Sequence, residues 1–279
     1  MRQIYPGDRD LQAASLARHG RADQALWDLK MIVPSVPRRV YKYDPIQEAV
    51  CEFRFVAPQA GWSVMAGRLY ERLNDLYPNE PAQGMAIVPQ PSERPSAPGQ
   101  VRLSNPDNTA LATVGQHLIS VHSVRPYMGW ELFLEHIDRT LAAFADIVES
   151  DFEIERIGLR YINQFASSSI SIDELYQYFE IRPPKIPDIS LTTKSFMTRS
   201  QSSVDGDPRR QLIVLFGTEL SGTRESFVLD IDAIAQNLTG VRSLSQVEDL
   251  LTELRTLERF VFESSITDRT RKEVFGGWT

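Results

Sequence analysis

The chain has 279 residues, of which 42% are hydrophobic and 24% are charged, and its net charge is -7. This length and composition are typical of a globular protein with two domains of ordinary size or one large domain. The net charge divides as +1 over residues 1–30, -3 over residues 31–150 and -5 over residues 151–279. Because neither half is basic, we expect no broad surface for the phosphate backbone of nucleic acids.

Cysteine content and hydropathy indicate a cellular compartment. Cys51 is the only cysteine, which excludes an intrachain disulfide and a zinc site built from several cysteines. The sequence has no apolar run of about 18 residues and no apolar core of a signal peptide near its N-terminus. We therefore expect a soluble cytoplasmic protein that does not bind membranes.

The N-terminal segment differs from the rest of the chain. Leu11–Leu29 has a weak helical pattern that Gly20 interrupts, and two prolines follow at Pro34 and Pro37. We predict that residues 1–30 form a flexible tail, and that Met31 is a candidate for the natural start.

The next segment, residues 31–150, begins with a pronounced strand over Ile46–Val56. Alternate side chains of a strand lie on opposite faces. One face of this strand is therefore apolar, with Ala49, Cys51, Phe53 and Phe55, and the other is polar, with Glu48, Glu52 and Arg54. After this strand the pattern predicts helices at Trp62–Tyr77 and Trp130–Val148, separated by short strands near Ala86–Val88, Val101–Leu103, Ala110–Val114 and Leu118–Val124.

The pattern in the last segment, residues 151–279, predicts nearly the same order of elements as in residues 31–150. A strand at Ile154–Phe165 is followed by a short helix to Phe179, which Ser171 and Glu174 begin as a capping box. Three strands and a long helix follow, with a second capping box at Ser245 and Glu248. The three strands lie near Ile189–Thr198, Gln211–Gly217 and Phe227–Ile231, and a polar loop at Ser200–Pro208 joins the first two.

The repeated order predicts the fold class. We expect an α+β protein with two related halves, each an antiparallel sheet with helices on one face. The order of elements is like that of TATA-binding-protein-like folds. This is an analogy of topology, which does not define a function.

Four separated blocks of the sequence contain distinctive motifs, among them Pro-Ile-x-Glu-Ala within Asp44–Val50 and Gly-Leu-Arg-Tyr-Ile-Asn within Arg156–Asn163. In their order and over about residues 40–276, the blocks resemble a family of sporadically distributed, uncharacterised prokaryotic proteins. The family pattern has a histidine after a leucine in the last long helix, where this chain has Arg255 after Leu254. The resemblance implies no established activity. The four blocks are Asp44–Val50, Tyr127–Glu131, Arg156–Asn163 and Leu229–Asp232.

The first candidate site is a row of charged side chains on the two strands with the clearest alternation, Ile46–Val56 and Ile154–Phe165. If these strands are neighbours, their carboxylates and guanidinium groups meet on one face, and the row can bind an anion or a polar peptide. The same residues can instead form a lattice of ion pairs between strands, which is the interpretation we favour. The candidate residues are Glu48, Glu52, Arg54, Arg156 and Arg160, with Asn163 near the edge of the row.

Other chemistry has weaker support. Asp230 and Asp232 lie on one face of a strand, where they can hold Mg²⁺ or, as is commoner, end the strand and cap a helix at Ala233–Leu238. The four histidines lack the spacing of a zinc site, and Cys51 is expected in the core. We expect no metal, no cofactor and no catalytic residue, since motifs for nucleotide binding and serine hydrolysis are absent from the sequence.

The sequence therefore favours a non-enzymatic binding or regulatory accessory protein. We expect it to act on a protein partner, in a setting such as stress response, toxin control or phage defence. The first alternative is a hydrolase or phosphotransfer enzyme that uses Glu48, Glu52 or Asp230 with Arg160. The second is a nucleic-acid-binding module, which the net charge disfavours. The sequence does not define the oligomeric state.

Overall fold

The computed structural model describes residues 34, 36–57, 62–83, 100–148, 152–166, 170–182, 194–204, 207–221 and 224–279. By its internal contacts the chain divides into two compact units, residues 1–34 and 35–279. The predicted tail at residues 1–30, the candidate start at Met31 and the predicted strand at Ala86–Val88 lie outside the described residues, as does the first part of the strand predicted near Ile189–Thr198.

A single antiparallel sheet organises the second unit. Within the described residues it has nine strands in the order β2-β3-β4-β5-β1-β6-β9-β8-β7, and β2 is only two residues long. The strands are β1 (Ile46–Phe55), β2 (Ala82–Gln83), β3 (Val101–Ser104), β4 (Ala110–Val114), β5 (Leu118–Val124), β6 (Ile154–Ala166), β7 (Met197–Val204), β8 (Asp207–Ser221) and β9 (Arg224–Gln236).

The two strands with the strongest sequence patterns, β1 and β6, pair at the centre of this sheet. Their register places Cys51 opposite Leu159 and Phe53 opposite Ile157, and all four side chains are fully buried. Matching periods on neighbouring strands therefore make one continuous apolar face.

The main helices cover that apolar face. They are α1 (Trp62–Leu73), α2 (Trp130–Ile147), α3 (Leu175–Tyr178) and α4 (Leu244–Ser265). Phe144 of α2 stacks on Phe55 of β1 with ring centroids 4.7 Å apart, and Arg255 of α4 lies over the ring of Tyr161 of β6. A 3₁₀ turn precedes α3, and a single π-helical turn at Thr270–Val274 follows α4. The predicted α+β class and antiparallel sheet are confirmed.

Two predictions in the last segment are wrong. The described residues of the predicted loop at Ser200–Pro208 are instead the end of β7 and the beginning of β8, which pair with each other. The predicted helix at Ala233–Leu238 is instead the end of β9, which extends to Gln236 and pairs with both β6 and β8. Hydrogen bonds to neighbouring strands override the weak local strand preference of these serine-rich and alanine-rich runs.

The helix boundaries also differ in detail from the predictions. α1 ends at Leu73 rather than at Tyr77, whereas α2 agrees to within one residue. The capping box of α4 is formed by Ser243 and Gln246, two residues before the predicted pair. Ser243 has the extended backbone that an N-cap requires, with φ -126° and ψ 150°, and the helix has already begun at Leu244.

Candidate ligand-binding cavity

The predicted charged row lies on the sheet face opposite α2 and α4, and the fold brings most of it together. Glu52 is at its centre, because its Oε1 accepts hydrogen bonds from Arg54 Nε and Arg156 Nη1, both at 2.7 Å. Arg156 also donates to Asp232 at 3.3 Å. Burial acts to raise the pKa of Glu52, but Arg156 and Arg54 outweigh it and hold that pKa below its usual value.

Arg160 belongs to a second ion pair on this face. Its Nε donates to Asp230 Oδ1 at 2.8 Å and its Nη2 donates to Asp230 Oδ2 at 2.5 Å, a two-pronged geometry. Asp230 and Asp232 therefore each contact an arginine. Among the described residues, no group of three or more His, Cys, Asp and Glu side chains is placed to hold a metal ion.

Glu48, the remaining carboxylate of the row, is part of a hydrogen-bonded chain. It contacts His122 Nδ1 at 2.8 Å, and His122 Nε2 contacts Ser120 Oγ at 2.8 Å. This is the order of acid, base and hydroxyl that activates a serine nucleophile. However, Ser120 is only 5% exposed and lies within a strand that is paired on both sides, opposite the carboxylate of Glu52.

Asn163 is the one predicted site residue that the fold separates from this row. It lies on the apolar face of β6 and is 1% exposed. Its Nδ2 donates to the carbonyl oxygen of Leu229 at 3.1 Å. Its side-chain oxygen accepts no hydrogen bond from the described part of the chain. This oxygen is free for an external donor, since Asn163 lines a cavity on that face.

The cavity has a volume of about 490 Å³, which is within the range of ligand pockets. Its walls come from the segment before β1, the beginning of α2, β6 and one side of α4. The lining residues used below are Arg38, Arg39, Val40, Tyr41, Asp44, Ile46, Tyr127, Met128, Gly129, Trp130, Glu131, Asn163, Thr252, Arg255, Thr256, Glu258, Arg259, Phe262 and Glu263.

The N-terminus of α2 forms one wall of the cavity. Gly129 is its N-cap, with φ 90° and ψ 157°, and no side chain caps the first turn. A positive φ favours glycine at this position. Met128, Gly129 and Trp130 line the cavity, so the partial positive charge of the helix end lies at its wall.

Arg255 of α4 lies next to this helix end. Its guanidinium carbon is 4.5 Å from the ring centre of Tyr161 and 5.5 Å from that of Trp130. Its Nη1 donates to Glu258. Burial by itself would lower the pKa of Arg255, but Tyr161 and Glu258 outweigh it and raise that pKa. Arg255 is therefore a fixed positive charge between two aromatic rings.

Arg259 follows one helical turn after Arg255, and its charge acts to lower the pKa of the adjacent Glu258. Within the described residues it takes part in no hydrogen bond and no ion pair, and its buried Nε lacks any acceptor. Buried polar groups are normally satisfied. A cationic group that lines a cavity and lacks an acceptor indicates a place for an anion.

Among the described residues, none of the acidic groups of the cavity forms a hydrogen bond or an ion pair with Arg259. Glu263 is occupied by Tyr41 at 2.8 Å, Arg39 at 2.8 Å and Arg271 at 3.1 Å. Burial raises the pKa of Glu258 although Arg255 and Arg259 act to lower it. Arg255 and Arg259 therefore share one nearby carboxylate, that of Glu258.

Sequence reasoning identified Asn163 but missed the rest of the cavity. Residues of three blocks that carry the family resemblance line it, namely Asp44–Ile46, Tyr127–Glu131 and Asn163. Arg255, which departs from the family pattern, lines it too. The block at Tyr127–Glu131 was the signal available, because it combines aromatic residues with glycine outside any buried stripe.

Cys51, His122 and His136 add no further site among the described residues. Cys51 is fully buried, as expected, and burial raises the pKa of its thiol well above the usual value. His136 is 3.3 Å from the hydroxyl of Tyr77, and His122 belongs to the chain described above.

Comparisons with known proteins give no identity. No protein-family model matches the chain, and no curated protein matches it. One solved structure with a weak similarity is the di-domain ARO/CYC StfQ from the steffimycin biosynthetic pathway, at 11% identity over 77% of this chain and 98% of that chain. Its TM-score of 0.16 carries no argument about fold or function. The family resemblance of the four blocks stays a prediction.

None of the helices among the described residues combines the length and the apolar character that a membrane span needs.

Proposed function

We propose that the protein is a non-enzymatic binding and regulatory protein that accepts a segment of a partner protein in the cavity. The observation that carries this proposal is the buried Nε of Arg259, a half-buried residue of the cavity wall, which has no acceptor among the described residues. A ligand that enters the cavity can supply the acceptor that this N–H lacks. The predicted role as an accessory protein in stress response, toxin control or phage defence is retained as part of this proposal.

The cavity rim favours a protein as the partner. Val40, Tyr43 and Trp278 are 59%, 56% and 40% exposed. Tyr41 pairs with Trp278 as an antiparallel bridge, so these exposed side chains lie on adjoining backbone segments, and Val40 itself lines the cavity. Exposed apolar side chains next to a polar cavity are typical of a protein-protein contact, with an aromatic anchor and a buried polar centre.

We further propose that residues 31–150 and 151–279 are two related halves, with the TATA-binding-protein-like order of elements. From the centre of the sheet outward, the strands read β1-β5-β4-β3-β2 in one direction and β6-β9-β8-β7 in the other, so the first direction has the two-residue strand β2 in addition. In both, the first strand is central and the last strand of its segment lies beside it. The cavity takes residues from both segments, which is where a protein of two halves would form a shared groove.

A peptide selection tests the binding function. The full chain would be immobilised and used to select from random peptide libraries displayed both internally and with free C-termini. Enriched peptides would then be titrated by calorimetry against the wild type and Thr256→Trp, which places a large ring in the cavity. Leu132→Trp is the matched control, since Leu132 is 54% exposed on α2 and does not line the cavity.

We expect the selected peptides to bind the wild type and Leu132→Trp equally, and Thr256→Trp about tenfold more weakly or worse. Failure of any sequence to enrich would refute the proposal. Equal binding to all three proteins would refute it as well, because the cavity would then not be the binding site.

A second candidate function rests on the hydrogen-bonded chain from Glu48 through His122 to Ser120, which favours the hydrolase alternative. The other groups of that alternative, Glu52, Asp230 and Arg160, take part in ion pairs. A fluorophosphonate probe tests the chain directly, because an activated serine forms a covalent adduct with it. Labelling that Ser120→Ala and His122→Ala both abolish would support a hydrolase, and an unlabelled wild type would exclude this serine chemistry.

A further inference from the structure

We infer that the cavity binds the C-terminal carboxylate of the partner chain, with Arg259 as the main contact and Asn163 as the acceptor for the N–H of the terminal residue. This inference rests on the proposed function and specifies the chemistry of its ligand. Three features of the cavity carry it: an unpartnered cation, a positive helix end beside a second cation, and an unpartnered acceptor.

Arg259 supplies the anion-binding group. Its guanidinium lines the cavity without a hydrogen bond or an ion pair to the described residues, and its Nε is buried. Guanidinium groups bind carboxylates in a planar, two-pronged geometry. A carboxylate would satisfy Nε and one Nη of Arg259 together.

Arg255 and the N-terminus of α2 extend the positive region. Arg255 lies 5.5 Å from the ring centre of Trp130, the first residue of α2. The first turn of α2 has no side-chain cap, and Gly129 and Trp130 line the cavity. An anion held at Arg259 therefore lies in a field to which the helix end and Arg255 both contribute.

Asn163 adds an acceptor that a simple anion does not use. It lines the cavity, and its side-chain oxygen lacks a donor among the described residues. This oxygen is not one of the buried side-chain atoms without a partner, so it is accessible from the cavity. A ligand that carries an N–H as well as a negative charge, as the terminal residue of a polypeptide does, can contact both Asn163 and Arg259.

The acidic residues of the cavity disfavour a phosphate. Asp44, Glu131, Glu258 and Glu263 all line it. A group with two negative charges would meet more repulsion from these carboxylates than a single carboxylate.

Val40, Ile46 and Phe262 provide an apolar wall for the side chain of the terminal residue. A chain end also needs only one exit from the cavity, whereas an acidic side chain in mid-chain needs two.

Small defined probes test this assignment on the full chain. N-acetyl-phenylalanine carries the carboxylate, the N–H and an apolar side chain. Its amide lacks the charge, N-acetyl-glutamic acid α-amide places the carboxylate on the side chain, and inorganic phosphate tests anion binding alone. Binding would be followed through the indole N–H resonance of Trp130, which Trp130→Phe assigns.

We expect N-acetyl-phenylalanine to shift this resonance with saturation, and its amide to bind about tenfold more weakly or worse. Arg259→Gln should weaken the acid about tenfold, and Asn163→Leu should weaken it less. Arg242→Gln is the matched control, because Arg242 is an exposed arginine that pairs with Glu153 and does not line the cavity. It should leave binding unchanged.

Several outcomes would overturn the inference. These are equal binding of the acid and its amide, stronger binding of the glutamate side-chain probe or of phosphate, or binding that does not depend on Arg259. The peptide selection separates this failure from failure of the proposed function. If internal peptides bind and Thr256→Trp weakens their binding, the proposed function would stand. The assignment of the cavity to a C-terminal carboxylate would then be refuted.

Discussion

Two regions of this protein contain arginines and carboxylates, but they differ in whether the charged groups are paired. On the sheet face opposite α2 and α4, Glu52 and Arg156 contact each other, and Arg160 and Asp230 form a two-pronged pair. On the other side of the sheet, Arg259 lines a cavity of about 490 Å³ without an acceptor among the described residues. The charged row that the sequence singles out is thus internally paired, and the unpaired charge lies where the sequence drew no attention.

This difference teaches that the state of pairing, rather than the density of charge, indicates a binding site. A buried ion pair that is fully satisfied has little left to offer a ligand, and breaking it is costly. An unsatisfied cation is a cost in the free protein that a ligand removes. Four substitutions test this contrast, in order of decreasing expected change in the free energy of unfolding.

The largest effect is expected from Arg160→Ala. It leaves the carboxylate of Asp230 buried without its partner, so we expect a loss of about 3–5 kcal/mol in the free energy of unfolding. Urea unfolding measures it, and binding of N-acetyl-phenylalanine should be unchanged. Arg199→Ala is the control, since Arg199 is an exposed arginine on β7 with only a long contact to Gln201, and it should cost less than about 0.5 kcal/mol. Intact stability with lost binding would place the site on the sheet face.

Asp232→Asn tests whether every charge among the ion pairs on the sheet face opposite α2 and α4 stabilises the fold. Burial raises the pKa of Asp232 to about 6, although Arg156 and Arg160 act to lower it. A carboxyl whose pKa is raised on folding contributes stability that is fully present below about pH 4 and is lost as the pH rises through about 6. Asparagine stays neutral, so the variant should gain about 3 kcal/mol relative to the wild type between about pH 4 and about pH 8. Parallel stability curves would contradict this.

Gly129→Ala tests the helix end at the cavity. The positive φ of 90° makes alanine unfavourable there although no atom lies within 4 Å of its added Cβ. We expect a loss of about 1 kcal/mol in thermal or urea unfolding and weaker binding of N-acetyl-phenylalanine. Gly67→Ala is the matched control, because Gly67 lies inside α1 with equal space around it. It should stabilise the protein slightly. Equal effects of the two changes would deny Gly129 a special role.

The smallest effect on stability is expected from Arg259→Met. Because Arg259 has no ion-pair partner among the described residues, its charge contributes little to folding. The free energy of unfolding should change by less than about 0.5 kcal/mol or increase, whereas ligand binding should fall. A loss as large as that of Arg160→Ala would show that Arg259 supports the fold, and the contrast between the two regions would collapse.

Sequence reasoning succeeded where the signal was local and periodic. The alternation in β1 and β6 and the stripe in α2 predicted these elements to within one residue, and placed Cys51 in the core. It failed at Ser200–Pro208 and at Ala233–Leu238, which are strands only because neighbouring strands pair with them. It predicted the charged row correctly as neighbours, but it joined Asn163 to that row although Asn163 lies on the opposite face.

The sequence by itself determined the class of fold and the two faces of the central strands, because the period of apolar residues decides which side of a strand is buried. It also determined which charges lie on the polar face. Tertiary structure alone decided which of these charges are paired, since Arg160 and Asp230 are 70 residues apart and Glu52 and Arg156 are 104 apart. It also decided that Asn163, the beginning of α2 and one side of α4 enclose a cavity. No local pattern encodes such a meeting, because it depends on the order of strands in the sheet and on how the helices pack over it.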